Sequence, residues 1–130
     1  MELKVLEISY ELDNEEGLNA LFFQTSEGYY TISRLKEEDN LYMELNSQEN
    51  GKYFDTEYFD CSVRNGCISF NVPENRNWDL GIYQNVTLLF SPVNIDEFKR
   101  ISMVVRNIFT ERTGMYYTCL LYTSDAADDL

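Results

Sequence analysis

The chain has 130 residues with 23 acidic and 10 basic side chains, which gives a formal net charge of −13 at neutral pH. A negative field of this size repels phosphates and anionic lipids, so it disfavours nucleic acid and membrane surfaces as partners and favours a basic surface. A simpler interpretation is that the acidity only keeps the protein soluble. The hydrophobic content of 44% suits one globular domain and argues against wholesale disorder.

The N-terminal part of the chain predicts three strands. Apolar residues alternate with polar ones over 3–10, which indicates a strand with a bulge where Val5 and Leu6 stand together. A Ser-Glu-Gly turn separates an apolar and aromatic run over 18–25 from a second run over 29–35. These two runs are therefore predicted to pair as strands.

A fourth strand is predicted over 41–46, followed by a polar, glycine-containing loop over 48–52. Successive side chains of a strand point to opposite faces, so the alternation gives this strand an apolar face and a polar face. The apolar face would carry Leu41, Met43 and Leu45, and the polar face Tyr42, Glu44 and Asn46.

The clearest local signal is Asn65-Gly66, which lies between two strand-like runs. Asn-Gly favours a two-residue type I′ hairpin turn, in which both central residues need a positive φ. The resulting register puts Cys61 and Cys67 on opposite faces, which excludes a disulfide between them. The apolar face would pair Val63 with Ile68, Cys61 with Phe70 and Phe59 with Val72, and the polar face Arg64 with Cys67, Ser62 with Ser69 and Asp60 with Asn71.

A last strand and one helix complete the predicted elements. Pro73 ends the hairpin, and a connection over 74–81, with room for one helical turn around Trp78, leads to a strand over 85–90. The helix is predicted over 94–113.

Capping residues and one apolar stripe define this helix. Asn94 is a favourable N-cap, Glu97 three positions later completes a pair typical of a capping box, and Gly114 is the predicted stop. The stripe must be buried, and the apolar face of a sheet is its natural receiver. It consists of Phe98, Ile101, Val105 and Ile108.

These elements predict an α+β fold: an antiparallel, meander-like sheet of about six to seven strands with one C-terminal amphipathic helix packed on one face. Residues 119–130, CLLYTSDAADDL, resemble the translation of a sequencing adapter, so the predicted single domain spans 1–118 and the rest is a non-native tail. A natural acidic tail is the alternative. The acidic excess persists without these residues.

The chain lacks histidine, which removes the commonest general base, the commonest metal ligand and every histidine-activated nucleophile. It also lacks a glycine-rich phosphate loop, and its three cysteines show no Cys-x-x-Cys spacing. We therefore predict a non-enzymatic protein with no cofactor, no metal and free thiols. With neither a signal peptide nor a transmembrane run in the sequence, we expect it in a reducing cytoplasm.

Acidic clusters leave one route to enzyme or metal chemistry open, because paired carboxylates can cleave glycosides or hold Mg²⁺ or Ca²⁺. The first two clusters lie in predicted turns without calcium-loop spacing, so a solvated charged turn is the favoured interpretation. The clusters are Asp13, Glu15 and Glu16; Glu37, Glu38 and Asp39; and Asp55 and Glu57.

Two segments carry a resemblance to a known family. LYMELNSQENGKYFDTEYFDCSVRNGCISFNV combines an aromatic residue and a glutamate in one strand, a polar Asn-x-Gln stretch, a loop with Gly and Tyr, and a tight hairpin. QNVTLLFSPVNIDEFKRISMVVRNIF combines a closing strand with a helix that starts acidic and ends in Ile-Phe. Over residues 20–110 the chain resembles the immunity protein 10 family of bacterial polymorphic toxin systems. The resemblance implies a protein that binds and neutralises a cognate toxin without turning over a substrate.

The polar strand face and its adjacent loops form the predicted partner-binding site, because aromatic anchors ringed by acids are typical of interface hot spots. Cross-strand packing is the simpler alternative for each tyrosine, and a solvated face for the acids. The predicted partner is a protein toxin with a basic surface; the alternative is a regulatory or scaffold module that binds an endogenous basic protein. The predicted binding residues are Tyr42, Glu44, Asn46, Gln48, Tyr53, Asp55, Glu57 and Tyr58.

Overall fold

The computed structural model describes residues 1–55, 59–72 and 81–109. The strands in these residues are β1 (Glu2–Glu11), β2 (Leu18–Thr25), β3 (Gly28–Leu35), β4 (Asn40–Leu45), β5 (Lys52–Asp55), β6 (Asp60–Arg64), β7 (Cys67–Asn71) and β8 (Asn85–Leu89), and the helix is α1 (Ile95–Phe109). Short 3₁₀ turns span Gln48–Asn50 and Gly81–Tyr83. The strands form one sheet in the order β5-β4-β3-β2-β1-β8-β7-β6, so the predicted α+β class is confirmed.

The sheet is mixed, which corrects the predicted antiparallel meander. Neighbouring strands pair antiparallel except for β1 and β8, which run parallel over Glu2–Lys4. The N-terminal amino group donates to the Asn85 carbonyl oxygen over 2.7 Å, and the Thr87 N–H donates to the Met1 carbonyl oxygen over 2.8 Å. Side chains alternate in the same way in parallel and antiparallel strands, so the sequence pattern does not reveal this pairing.

The sheet has eight strands in the described residues, more than predicted, because β5 begins inside the expected polar loop. It pairs with β4 and sets Tyr53 opposite Tyr42 and Phe54 opposite Leu41. Phe54 is the one buried side chain of this four-residue strand, so β5 is too short to show a periodic signal.

The two edge strands of the sheet, β5 and β6, are joined by a short connection. A flat sheet of eight strands would separate its edges by about 34 Å, whereas the chain from Asp55 to Asp60 reaches at most about 18 Å. The sheet therefore has to curl, and it curls toward its apolar face. The Phe54 ring centroid lies 5.7 Å from that of Phe59 and 5.5 Å from that of Tyr83.

The apolar face of the curled sheet and α1 enclose one core. The helix packs mainly on β2 and also contacts β1 and β3. Asn94 caps it as predicted, because its side-chain oxygen accepts from the Glu97 N–H over 2.9 Å. The Glu97 carboxylate accepts from the Tyr10 hydroxyl over 3.3 Å and from Arg100 over 3.4 Å. The buried residues of α1 include the whole predicted stripe: Phe98, Ile101, Val104, Val105, Ile108 and Phe109.

The register of the β6–β7 hairpin is confirmed. Cys61 and Cys67 lie on opposite faces, so no disulfide joins them. The predicted bulge in β1 is also present, because the register against β2 shifts between Val5 and Glu7. The observed hairpin pairs are Asp60 with Asn71, Cys61 with Phe70, Ser62 with Ser69, Val63 with Ile68, and Arg64 with Cys67.

The predicted type I′ turn of this hairpin is wrong. Gly66 has a φ of 112°, but Asn65 is not among the residues with positive φ. The Asn65 carboxamide bonds to the backbone of Val93 instead, accepting from its N–H over 2.9 Å and donating to its carbonyl oxygen over 2.7 Å. The turn thereby fastens the hairpin to the segment that leads into α1.

Several predictions about the fold lie outside the described residues. They are the strand stop at Pro73, the helical turn around Trp78, the helix end near Gly114 and the tail over 119–130. Of the helices that the structure describes, none is long and apolar enough to cross a membrane.

Candidate functional site

Strand register sorts the side chains of β2 to β5 onto two faces. The inner row of Leu21, Ile32 and Met43 is fully buried in the core. On the outer face Tyr53 is 63% exposed and Phe22 is 38% exposed. We call this outer face the tyrosine face, and define it by Phe22, Gln24, Tyr29, Thr31, Ser33, Tyr42, Glu44 and Tyr53.

Two tyrosines bond to one carboxylate at the centre of the tyrosine face, and a third tyrosine packs beside one of them. The Tyr29 hydroxyl donates to Oε2 of Glu44, and the Tyr42 hydroxyl donates to Oε1. The Tyr42 ring lies beside that of Tyr53, with centroids 5.0 Å apart and an interplanar angle of 53°. Glu44 therefore joins tyrosines of β3 and β4 as their common acceptor, and the Tyr42 ring extends the cluster to β5.

Gly51 provides the space that Tyr42 needs. A Cβ at this position would lie 1.9 Å from the Tyr42 hydroxyl oxygen, well inside van der Waals contact. Its φ of −64° and ψ of 132° are open to any residue, so the requirement is for space and not for glycine's conformational freedom. Any larger residue would displace the Tyr42 ring from Glu44.

Tyr83 anchors the loop that carries Gly51. Its side chain is buried, its hydroxyl donates to the Asn50 carbonyl oxygen over 2.6 Å, and its oxygen accepts from the Leu45 N–H over 3.0 Å. Both ends of the loop between β4 and β5 are thus bonded to one residue from the far side of the curled sheet. The core therefore fixes a loop that lies beside the tyrosine face.

The hydroxyls at Glu44 remain protonated at neutral pH. The hydrogen bond to Glu44, with a smaller contribution from desolvation, raises the pKa of Tyr42 to about 12. The same two causes raise the pKa of Tyr29. Both tyrosines therefore act as hydrogen-bond donors to Glu44.

The tyrosine face carries no lysine or arginine among its defined residues. A shallow depression of about 290 Å³ adjoins it, with Glu7 from β1 contributing a second carboxylate beside Tyr29, Phe22 and Gln24. The two carboxylates, Glu7 and Glu44, suit contact with a basic group.

The structure brings together three of the predicted binding residues, Tyr42, Glu44 and Tyr53. Gln48 is exposed in the 3₁₀ turn after β4, and Asp55 is half-buried at the end of β5 opposite Asn40. The two other loop residues, Glu57 and Tyr58, lie outside the described residues.

Asn46 does not continue the polar face of β4, which corrects the prediction. The strand ends at Leu45, and Asn46 adopts a left-handed φ of 64°. Its side-chain oxygen accepts from the Tyr29 N–H over 2.8 Å, while its own N–H donates to the Tyr29 carbonyl oxygen over 3.0 Å. Asn46 therefore positions the backbone of Tyr29 and has its amide oxygen already engaged.

Sequence reasoning missed Tyr29 and Gly51 as site residues. Tyr29 had a detectable signal, because Tyr29, Thr31 and Ser33 alternate with the apolar residues of the same strand. Gly51 had none, since its role depends on the position of Tyr42 in three dimensions.

The acidic clusters in the turns show ordinary turn geometry. The Asn14 side-chain oxygen accepts from the N–H groups of Glu16 and Leu18, each over 2.9 Å, and this closes the turn that contains Glu15 and Glu16. The Glu38 carbonyl oxygen accepts from Arg34 over 2.8 Å. No group of three or more Cys, Asp or Glu residues in 1–55, 59–72 and 81–109 is arranged to hold a metal ion.

No protein-family model matches this sequence, and neither a curated protein nor a solved structure matches it. The resemblance to the immunity protein 10 family therefore stays a prediction.

Proposed function

We propose that this chain is an immunity protein that binds a cognate bacterial toxin and blocks it stoichiometrically through the tyrosine face. The observation that carries the proposal is the tyrosine cluster on the sheet face opposite the core, where Tyr29 and Tyr42 bond to Glu44 and Tyr53 packs on Tyr42. The assigned activity is binding, and the proposal requires neither a cofactor nor a metal. We place the protein in the cytoplasm, where a toxin that enters the cell would act.

Tyrosine is well suited to such a contact. Its ring buries a large area on binding, and it has only two side-chain torsions to immobilise. Here the Tyr29 and Tyr42 hydroxyls are already bonded to Glu44, so part of that ordering precedes binding. Cross-strand packing between Tyr42 and Tyr53 is the alternative explanation for these tyrosines. That contact leaves Tyr53 63% exposed, so the ring remains accessible to a partner.

The charge of the chain supports a basic partner. The net charge of −13 attracts a basic protein over distance and speeds its capture, and Glu7 and Glu44 extend that sign to the face itself. Toxins that act on nucleic acid need basic surfaces to hold phosphates. An acidic immunity protein that covers such a surface would exclude the substrate.

The test is co-expression of this chain with the toxin domain encoded in the adjacent reading frame, with growth of a bacterial host as the readout. The triple variant Tyr42→Ala/Glu44→Ala/Tyr53→Ala should lose protection, with toxin affinity reduced by about 100-fold or more. Circular dichroism and thermal melting establish that the variant is folded.

The matched control is Ser62→Ala/Ser69→Ala/Thr87→Ala, which changes one cross-strand row on the outer surface of β6, β7 and β8. This variant should protect as well as the wild type. Full protection by the tyrosine-face variant would contradict the proposal. An adjacent frame encoding an endogenous basic protein that binds this chain would favour a regulatory module instead.

A further inference from the structure

Glu44 is a pre-oriented carboxylate with unused acceptor capacity. Each of its oxygens accepts one tyrosine hydroxyl, whereas a carboxylate offers about four lone-pair positions. The residue is half-buried, and in the part of the chain that the structure describes no lysine or arginine forms an ion pair with it. A cation that binds from solvent could therefore pair with the negative charge of the Glu44 carboxylate.

Aromatic rings stand beside this carboxylate. Tyr42 reaches Glu44 through its hydroxyl while its ring contacts that of Tyr53, and Tyr53 is 63% exposed. A cation held within about 6 Å of a tyrosine ring gains cation–π attraction. The carboxylate and the rings therefore offer two kinds of attraction for the same positive group.

We infer that Glu44, Tyr42 and Tyr53 form a receptor for a single arginine side chain of the partner protein. Arginine fits better than lysine, because its planar guanidinium makes two parallel bonds to a carboxylate and stacks on aromatic rings. The two carboxylate oxygens are bonded to different tyrosines, which fixes the plane that the guanidinium would meet. The inference rests on the proposed function only in taking the partner to be a protein that docks on this face.

The test uses N-acetyl-L-arginine amide as the probe and the full chain labelled with ¹⁵N for nuclear magnetic resonance. Saturable shifts of the Tyr29, Tyr42, Glu44 and Tyr53 amides at millimolar probe are the expected result. N-acetyl-L-lysine amide should bind more weakly, and the neutral isostere N-acetyl-L-citrulline amide should produce no saturable shift at these amides.

Glu44→Gln should weaken binding of the arginine probe by about fivefold, the scale expected for a partly exposed ion pair. Glu15→Gln is the matched control, because it removes the same charge from the exposed turn between β1 and β2, and it should leave the affinity unchanged. Equal binding of the lysine and arginine probes, or unchanged binding by Glu44→Gln, would overturn the inference.

The result of the probe experiment can be distinguished from the result of the toxin-protection experiment. If the arginine probe fails to shift the four amides while the tyrosine-face variant still loses protection, the arginine receptor is refuted and the proposed function stands. If the probe binds as expected while that variant protects fully, the receptor exists and the immunity proposal is refuted.

Discussion

The outer surfaces of the two halves of the sheet differ, although their inner surfaces are alike. In both halves the inner side chains are buried and apolar, such as Ile32 and Met43 in one and Ile68 and Leu88 in the other. Outside, β2 to β5 carry aromatic side chains, whereas the row across β6, β7 and β8 is Ser62, Ser69 and Thr87. The inner pattern builds the core, whereas the row of small polar residues is an outer surface of the same sheet without aromatic side chains. The clustering of tyrosines on one half is therefore the feature that binding would use.

The largest expected effect tests whether the inner surface of the sheet contributes more to the free energy of unfolding than the outer surface. Phe70 is fully buried on β7 and its ring stacks on Phe109 with centroids 5.8 Å apart. Phe70→Ala should lower the free energy of unfolding by about 3–5 kcal/mol, because it removes a large apolar side chain and leaves a cavity. Its neighbour Ser69→Ala, on the outer surface, should change stability by less than about 0.5 kcal/mol. Urea denaturation measures both, and equal losses would remove the distinction between the two surfaces.

A smaller effect tests whether Gly51 leaves the space that the Tyr42 ring needs on the tyrosine face. Gly51→Ala should destabilise the protein by about 1–3 kcal/mol, because the added methyl group overlaps the Tyr42 ring and displaces it from Glu44. In a Tyr42→Ala background the same glycine substitution should have little effect, since the overlap is gone. A double-mutant cycle by urea denaturation gives the coupling; additive losses would show that Gly51 does not act through Tyr42.

The smallest effect is a pH dependence at the tyrosine face. The folded-state pKa of Tyr42 is raised to about 12 by Glu44, whereas an unfolded tyrosine has a pKa of about 10. A raised pKa means that the folded state holds the proton more tightly, so this stabilisation is complete below pH 10 and is lost as the pH rises toward about 12.

Tyr42→Phe lacks this titration and serves as the control. The stability difference between the wild type and Tyr42→Phe should therefore shrink across that alkaline range, measured by denaturation at a series of pH values. Tyr29 remains in both proteins, so its own raised pKa does not contribute to the difference. A difference that stays constant with pH would contradict the hydrogen bond between Tyr42 and Glu44.

Local patterns predicted the parts of the fold that depend on neighbours in sequence. The hairpin register follows from a two-residue turn and period-two alternation, and the N-cap at Asn94 from one residue type. The parallel pairing of β1 with β8 joins segments more than eighty residues apart, and nothing in either segment specifies the other. The sequence also gives no sign that Arg34 is buried, where it donates to the carbonyl oxygens of Asn107 and Ile108 and ties β3 to the end of α1.

In the candidate site, too, local patterns predicted some features and long-range contacts determined the others. Alternation in β4 predicted that Tyr42 and Glu44 share a face, and the structure confirms it. Tyr29 joins them only through the pairing of β3 with β4, and Asn46 leaves the face because a left-handed residue ends the strand. Both facts depend on tertiary contacts that a single sequence does not display.

The central proposal is that the tyrosine face, and not the outer surface as a whole, binds the proposed toxin partner. Isothermal titration of the toxin domain against the wild type, Tyr53→Ala and Ser69→Ala tests it most directly. Tyr53 is the most exposed of the three tyrosines on that face, so its removal should weaken binding by about tenfold or more while Ser69→Ala leaves the Kd unchanged. Equal affinities for all three proteins, or a larger loss from Ser69→Ala, would contradict the account.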